Sequence, residues 1–343
     1  DFSIEYQQKF LEHYLPILEN TPYVCGGTHW NFIDFSSALR DESMPRINNK
    51  GLAYSDRTPK DVFYYYKAAW RKDIPVLHIA SRDWIYRTGI QQGDSSVLLP
   101  VKIYTNLPEV ELSIDGKSLG RQQVDNYTAI FKAPFSSKEP LLLVQGNYQG
   151  TTVQDGIKVH FTPIPTNLNS TGLKDLELAV NVGSQCFYTS DESRLTWLPD
   201  QPYTKGSWGY LGGKELSTQT EIRRTADGPL FQTLRNGIEG YRFDVPRGVY
   251  EVELLFTDIF LQNEGIAYQL GREGEQKSRE NTFGISVNGK MLEEKLSPCK
   301  ESGYCQAMRK KYIITNDTDH IDIRFHPASG TCFLNGIKLR NIH

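Results

Sequence analysis

In residues 2–18, apolar and aromatic side chains (Tyr6, Phe10, Leu11, Tyr14 and Leu18) return at helical spacing, with polar Gln7, Gln8, Lys9 and Glu12 between them. That period predicts an amphipathic helix. Residues 23–35 lose it. They are apolar or small apart from Thr28, His29, Asn31 and Asp34, the pattern of a parallel strand buried on both faces. A polar loop comes next. Beyond Pro59, which a first helical turn tolerates, Val62, Phe63, Tyr66, Ala69 and Trp70 define one stripe of a second helix. A helix, a strand and a helix cannot bury a sheet by themselves, so residues 1–73 need neighbours. Packing on the next domain, partial disorder or pairing with another chain would each keep the strand from aggregating.

From residue 74 to 163 the period changes to two. Val101, Ile103 and Thr105 alternate with Lys102 and Tyr104, and Val110, Leu112 and Ile114 alternate with Glu111, Ser113 and Asp115. Asp115-Gly116 marks a tight hairpin, because both central residues of a type I′ turn need positive φ. Short strands at this spacing without a helix predict an immunoglobulin-like sandwich over residues 74–163. Residues 162–172 hold prolines and small polar side chains that neither pair nor pack, and they read as a linker.

A third domain is expected over residues 173–343. Tyr250, Val252, Leu254 and Phe256 alternate with Glu251, Glu253 and Thr257; Ile321, Ile323 and Phe325 alternate with Asp322 and Arg324. Asn288-Gly289 predicts another hairpin. The charges crowded into residues 271–280 predict an exposed loop. The domain reads as a second β-sandwich, which makes the whole chain mainly β.

Length and composition narrow the possibilities. A chain of 343 residues is long for one core and comfortable for two or three domains. A formal charge of -3, with Lys and Arg scattered, offers no basic stripe for nucleic acid. No apolar run approaches the ~20 residues that cross a bilayer as a helix. The chain starts at Asp1 without a leader, as expected of a fragment. Its 5 cysteines are too few for a disulfide framework. Cys299 and Cys305 flank a short loop and are expected either as a disulfide in an oxidising compartment or as two separate thiols. No cysteine pair or histidine cluster suggests a metal, and no cofactor is expected. Asn126, Asn169 and Asn316 open glycosylation patterns, which occur often by chance and which a bacterial origin would make meaningless.

The run Gly26-Gly27-Thr28-His29-Trp30-Asn31-Phe32-Ile33-Asp34-Phe35, followed by Arg46-Ile47-Asn48-Asn49-Lys50-Gly51-Leu52 and Asp56-Arg57-Thr58-Pro59-Lys60, resembles the eighth strand and eighth helix of the catalytic barrel of glycoside hydrolase family 2. The resemblance implies a C-terminal piece of a larger periplasmic or secreted glycosidase: a truncated α/β barrel remnant over residues 1–73, then the immunoglobulin-like sandwich. The rest of the barrel and carbohydrate are the partners it implies. Leu178-Ala179-Val180-Asn181-Val182-Gly183, Phe231-Gln232-Thr233-Leu234-Arg235, Gly240-Tyr241-Arg242-Phe243-Asp244-Val245-Pro246 and Phe283-Gly284-Ile285-Ser286-Val287-Asn288-Gly289 resemble a malectin domain, a jelly-roll-type sandwich.

Glycosidases need two carboxyl groups flanking the scissile bond. In family 2 both are glutamates on the fourth and seventh strands, which the resemblance places before Asp1. Glu5 and Glu12 fall on a helix and are expected in surface ion pairs, so no catalytic residue is assigned and the chain alone is expected to be inactive. Active sites form at the C-terminal ends of barrel strands. The resemblance therefore places Trp30, Asn31 and Asp34 in the substrate pocket of the parent, with Trp30 either stacking on a pyranose or filling the core. Asn48 and Lys50 match the Asn-x-Lys pattern with which β-glucuronidases of the family hold the sugar carboxylate. β-Galactosidases of the family carry a similar loop. A galactoside is the preferred parent substrate and a glucuronide the alternative. Asp56, Arg57 and Lys60 are expected as an ion-pair and capping cluster. In the third domain Tyr203, Trp208 and Tyr210 are candidates for stacking on a glycan. Asn236 and residues 329–331 depart from the sugar-binding malectin pattern, which leaves a spacer or docking role beside a carbohydrate-binding one.

Overall fold

A computed structural model of the chain describes residues 3–38, 40, 44–91, 96–169, 176–262, 277–278 and 280–342. It divides into two compact units, Asp1–Pro163 and Ile164–His343. Both are built mainly of β-strands, as the alternation predicts.

In the first unit, α1 (Ile4–Asn20) starts at Ser3, whose hydroxyl accepts the Tyr6 N–H at 3.2 Å. Its buried stripe is Gln8, Leu11 and Leu15. The expected aromatic stripe points the other way: Tyr6, Phe10, Tyr14 and Leu18 are all more than two-fifths exposed. Residues 23–35 do not form the expected strand. A strand buried on both faces needs a neighbour on each side, and among the described residues this segment is paired along one side, Ile33 facing Ala53 and Phe35 facing Asn48. The chain then forms a short ribbon of β1 (Phe35–Ser36) and β2 (Ile47–Asn48), and after it α2 (Asp61–Trp70). Helix α2 buries Val62, Tyr65, Tyr66, Ala68 and Ala69, while Trp70 of the expected stripe is largely exposed.

The sandwich of the first unit contains β3 (Leu77–Ile79), β4 (Tyr86–Ile90), β5 (Val97–Thr105), β6 (Glu109–Ile114), β7 (Lys117–Gln123), β8 (Thr128–Phe135), β9 (Leu141–Tyr148), β10 (Thr151–Lys158) and β11 (His160–Ile164). One sheet runs β10-β9-β6-β7 and the facing one β3-β5-β8, with β11 beside β4. Val101 and Ile103 of β5, Val110 and Leu112 of β6, Phe131 of β8 and Val144 of β9 meet in one core. Asp115 and Gly116 turn the β6–β7 hairpin at φ 50° and 78°, as the type I′ signal requires.

At its C-terminal end, Ile103–Thr105, strand β5 is buried on both faces. Opposite the sandwich core, Tyr104 joins Leu11, Leu15, Val62, Tyr65 and Tyr66, so residues of the 1–73 segment pack directly on the sheet. Lys102, on that same face, pairs with Glu12 at 2.6 Å, and the Tyr104 hydroxyl donates to the same carboxylate. Asp61 at the start of α2 accepts from Gln8 of α1 at 2.9 Å, from His78 of β3 at 2.8 Å and from the Ser81 N–H at 2.7 Å. A carboxylate saturated this way fixes helix against sheet, because each donor lost would leave it buried and short of a partner.

The second unit comprises β12 (Glu177–Asn181), β13 (Tyr188–Thr189), β14 (Thr196–Pro199), β15 (Trp208–Leu211), β16 (Lys214–Ser217), α3 (Gly228–Phe231), β17 (Thr233–Asn236), β18 (Gly240–Phe243), β19 (Gly248–Phe256), β20 (Leu261–Gln262), β21 (Lys277–Ser278), β22 (Thr282–Val287), β23 (Lys290–Leu296), α4 (Pro298–Ser302), β24 (Met308–Asn316), β25 (Ile321–Ser329), β26 (Phe333–Leu334) and β27 (Gly336–Asn341). A six-stranded sheet, β13-β14-β12-β27-β19-β24, and a five-stranded one, β15-β18-β25-β22-β23, carry the fold. Their aromatic residues meet: Phe256 of β19 lies 5.9 Å from Phe283 of β22, which lies 5.5 Å from Phe333. The outward-facing Glu253 of β19 is nonetheless buried, under Lys338 at 3.0 Å and the longer pairs to Arg309 and Lys311. The charged stretch 271–280 lies outside the described residues except for β21 and Glu280. No disulfide joins the five cysteines, so Cys299 and Cys305 stand as separate thiols, Cys305 within a core cluster. Asn316, of one glycosylation pattern, is buried with its amide donating to Pro246 C=O.

Candidate functional site

The polar residues singled out in the first unit gather on a platform made by two chain segments. Leu52 N–H donates to Asn31 C=O (3.1 Å), Ala53 N–H to Phe32 C=O (2.9 Å) and Asp34 N–H to Ala53 C=O (3.0 Å). This close parallel pairing depends on Gly51. A Cβ there would sit 2.4 Å from the Asp34 nitrogen and 2.6 Å from the Ala53 oxygen, contacts that only glycine avoids.

Asp34 is buried, and its Oδ1 accepts both the Gly51 N–H at 2.9 Å and the Lys60 ammonium at 2.8 Å. Lys60 is itself buried and donates to Asn49 C=O at 3.0 Å. Asp34 therefore anchors the loop, with Oδ1 taken up by Gly51 and Lys60. Lys60 is an ion-pair residue as expected, but its partner is Asp34, and it makes no side-chain cap on α2. Asp56 accepts the Thr58 N–H at 2.8 Å.

Asn48 and Lys50 have opposite environments. Asn48 is buried, and its Oδ1 accepts the Lys50 N–H at 3.2 Å. The Lys50 side chain is exposed, and among the described residues its ammonium has no ion-pair partner. Backbone contacts thus fix where this side chain leaves the chain. His29 Nε2 lies 3.0 Å from Lys50 C=O. A carbonyl only accepts, so this nitrogen carries the proton. Burial lowers the His29 pKa, helped by the Lys60 charge and opposed by the bond to Lys50, which keeps the ring neutral at neutral pH.

Trp30 is 69% exposed and meets Phe35 edge to face at 6.4 Å, so its flat face is open for stacking. The Trp30–Asn31 peptide is cis. Asn31 donates to Ile33 C=O, while its Oδ1 is buried without a partner among the described residues. Trp30, Asn31, Asn48 and Lys50 thus share one platform, with Asp34 beneath it.

The three aromatic candidates of the second unit form no such platform. Trp208 is completely buried, with no ring face left for a ligand. The Arg235 guanidinium covers the Tyr210 ring at 3.3 Å, and Arg235 also pairs with buried Asp200 at 2.9 Å. Tyr203 donates to Asp244 at 2.7 Å. Asn236 accepts from the Thr331 hydroxyl at 2.8 Å, so the two positions that depart from the sugar-binding pattern satisfy each other.

Sequence reasoning missed His29, Gly51 and the true partner of Lys60. The first had a faint signal, a polar ring in an otherwise apolar run. The others depend on which segments pair, and local sequence does not state that.

Comparison with known proteins adds the lineage. Residues 176–339 match the profile of the Malectin domain, and residues 97–151 match a domain of unknown function (DUF4982). A Formosa agariphila protein named as a β-glucuronidase is 33% identical over 233 residues, covering 64% of this chain and 27% of the relative. A Bacteroides fragilis β-glucuronidase is 37% identical over 116 residues, covering 33% of this chain and 16% of the relative. The solved Bacteroides uniformis β-glucuronidase 2, covalently bound to cyclophellitol-6-carboxylate aziridine, is 73% identical with a TM-score of 0.91, covering 99% of this chain and 39% of that one. This chain thus spans well under half the length of each of these proteins. The preference for a galactoside over a glucuronide gives way, because these relatives carry the alternative name. Residues 176–339 match the Malectin domain, and the chain is homologous to β-glucuronidases, which are glycoside hydrolases.

Proposed function

We propose that this chain is part of a β-glucuronidase of glycoside hydrolase family 2 and supplies the wall of its substrate pocket that reads the uronate carboxylate. The observation that carries this reading is the 73% identity and TM-score of 0.91 to a β-glucuronidase bound to a 6-carboxylate ligand. The platform supports it. Lys50 presents an ammonium with no ion-pair partner among the described residues, its N–H held by Asn48, and Trp30 offers an open ring face next to Asn31. An ammonium bonded to a carboxylate is worth about twice a neutral hydrogen bond, and a site built for that group rejects substrates lacking it.

In this reading residues 1–73 are the end of the catalytic barrel, residues 74–163 an immunoglobulin-like sandwich, and residues 173–343 a malectin-like module. The rest of the barrel is their partner. Glu12 is held by Lys102 and Tyr104 and acts in packing. We assign no catalytic carboxylate to this chain. The malectin-like module serves as a brace, because Trp208 is buried and Tyr210 lies under Arg235.

The test is Lys50→Ala in the full-length enzyme, assayed on an aryl β-glucuronide and on the matching glucoside and galactoside. Loss of the charge partner should lower kcat/KM for the glucuronide by about 100-fold or more, and reduce its advantage over the neutral sugars by a similar factor. An unchanged preference would defeat the proposal.

A further inference from the structure

The Lys50–Gly51 peptide is gripped at both ends. Its carbonyl oxygen accepts from His29 Nε2 at 3.0 Å, and its N–H donates to Asp34 Oδ1 at 2.9 Å. The flanking contacts are just as specific: Asn48 takes the Lys50 N–H, Lys60 takes Asn49 C=O, and Gln7 donates to Gly51 C=O at 2.9 Å. A peptide unit held only on its N–H side can rotate about that bond. Held on both sides, it fixes the direction in which the Lys50 side chain leaves the backbone. That direction is all that aims the ammonium, since the side chain has no ion-pair partner among the described residues.

We propose that His29 is a positioning residue for sugar specificity: by donating to Lys50 C=O it closes the second half of the clamp and points the Lys50 ammonium at the substrate carboxylate. This rests on the reading of Lys50 given above. His29 itself touches no substrate atom in this scheme. Its ring, partly buried, packs against Tyr66 with ring centroids 5.7 Å apart, which helps keep the imidazole in place. A small misplacement of a charged contact weakens binding of the group it reads without removing the group, so a partial loss confined to the charged substrate is the signature.

The experiment uses the full-length enzyme with His29→Ala, His29→Gln and Lys50→Ala, measuring kcat and KM separately on an aryl β-glucuronide and an aryl β-glucoside. His29→Ala should lower the glucuronide-to-glucoside ratio of kcat/KM by about tenfold, the loss of one hydrogen bond to a charge-bearing loop, with the change falling chiefly on KM. His29→Gln, which retains an N–H donor, should recover most of the ratio. If Lys50→Ala collapses the ratio while His29→Ala leaves it at the wild-type value, the positioning role is wrong and the uronate reading stands. If His29→Ala lowers both substrates equally and His29→Gln does not recover the ratio, His29 supports the fold and the proposal fails. If Lys50→Ala leaves the ratio intact, the uronate reading itself has failed.

Discussion

Replacing Lys60 by methionine keeps the aliphatic stem and removes the ammonium, so it isolates the charge in the platform. In the native structure Lys60 and Asp34 lie 2.8 Å apart with side chains 1% and 9% exposed. At an effective dielectric of about 20 their gross attraction is about 6 kcal/mol, most of which offsets the cost of removing two charges from water. Taking away one partner forfeits the attraction and leaves the Asp34 carboxylate buried, held by the Gly51 N–H. The expected loss for Lys60→Met is therefore about 3–5 kcal/mol. Adding Asp34→Asn should restore part of it, because the amide oxygen still accepts from Gly51 and no charge is stranded. Urea unfolding of the chain, followed by far-UV circular dichroism, measures each variant. A loss below about 1 kcal/mol for Lys60→Met, or a double variant less stable than that single one, would refute the account of Asp34 and Lys60 as a structural pair.

Trp208→Ala should destabilise the second unit by about 3–5 kcal/mol, through the cavity left by a fully buried ring. A variant that melts like wild type yet loses binding to a glycan array would restore Trp208 as a ligand contact. Burial pushes the Cys332 thiol up to about 11, so the native state holds its proton between its ordinary value of 9.0 and that pH, while the unfolded chain releases it. Stability therefore falls as pH rises through that window, by up to about 3 kcal/mol from this group. The stability gap between wild type and Cys332→Ala should narrow from pH 9 to 11, and a gap independent of pH would contradict the burial argument.

Features set by neighbours in sequence were legible. The Asp115-Gly116 and Asn288-Gly289 turns appear where their positive φ is needed, with Ile114 opposite Lys117 and Val287 opposite Lys290. The alternation in β19 correctly puts Tyr250, Val252, Leu254 and Phe256 in the core. It misplaces Glu253, because a charge on the other face of a strand can still be buried by the cations around it. Helix α1 shows the same gap more sharply. Its period is right and Leu11 is buried as expected, but the sheet beneath selects Gln8 and Leu15 beside it rather than Tyr6, Phe10, Tyr14 and Leu18. Periodicity states that a stripe exists; the partner decides which stripe is covered.

The same distinction explains what was readable in the candidate site. Trp30, Asn31, Asn48 and Lys50 stand out as candidates because their residue types and order match a recognition pattern, and such patterns are local. Their supports are not. Gly51 is required by Asp34, 17 positions earlier, Lys60 serves Asp34 from 26 positions away, and His29 reaches Lys50 across 21. Each of these residues is ordinary by itself and gains its role from the pairing of residues 31–34 with 51–53. In the second unit the aromatic cluster misled for the converse reason: Trp208 looks like a platform beside glycines, but a Cβ at Gly209 would stand only 2.5 Å from the Pro202 and Tyr203 backbone, so the glycine is there to let the chain pack closely beside a buried ring. Glycine beside an aromatic residue thus has two opposite meanings, exposure on a mobile loop or burial under a close-packed one, and only the contact on the glycine separates them.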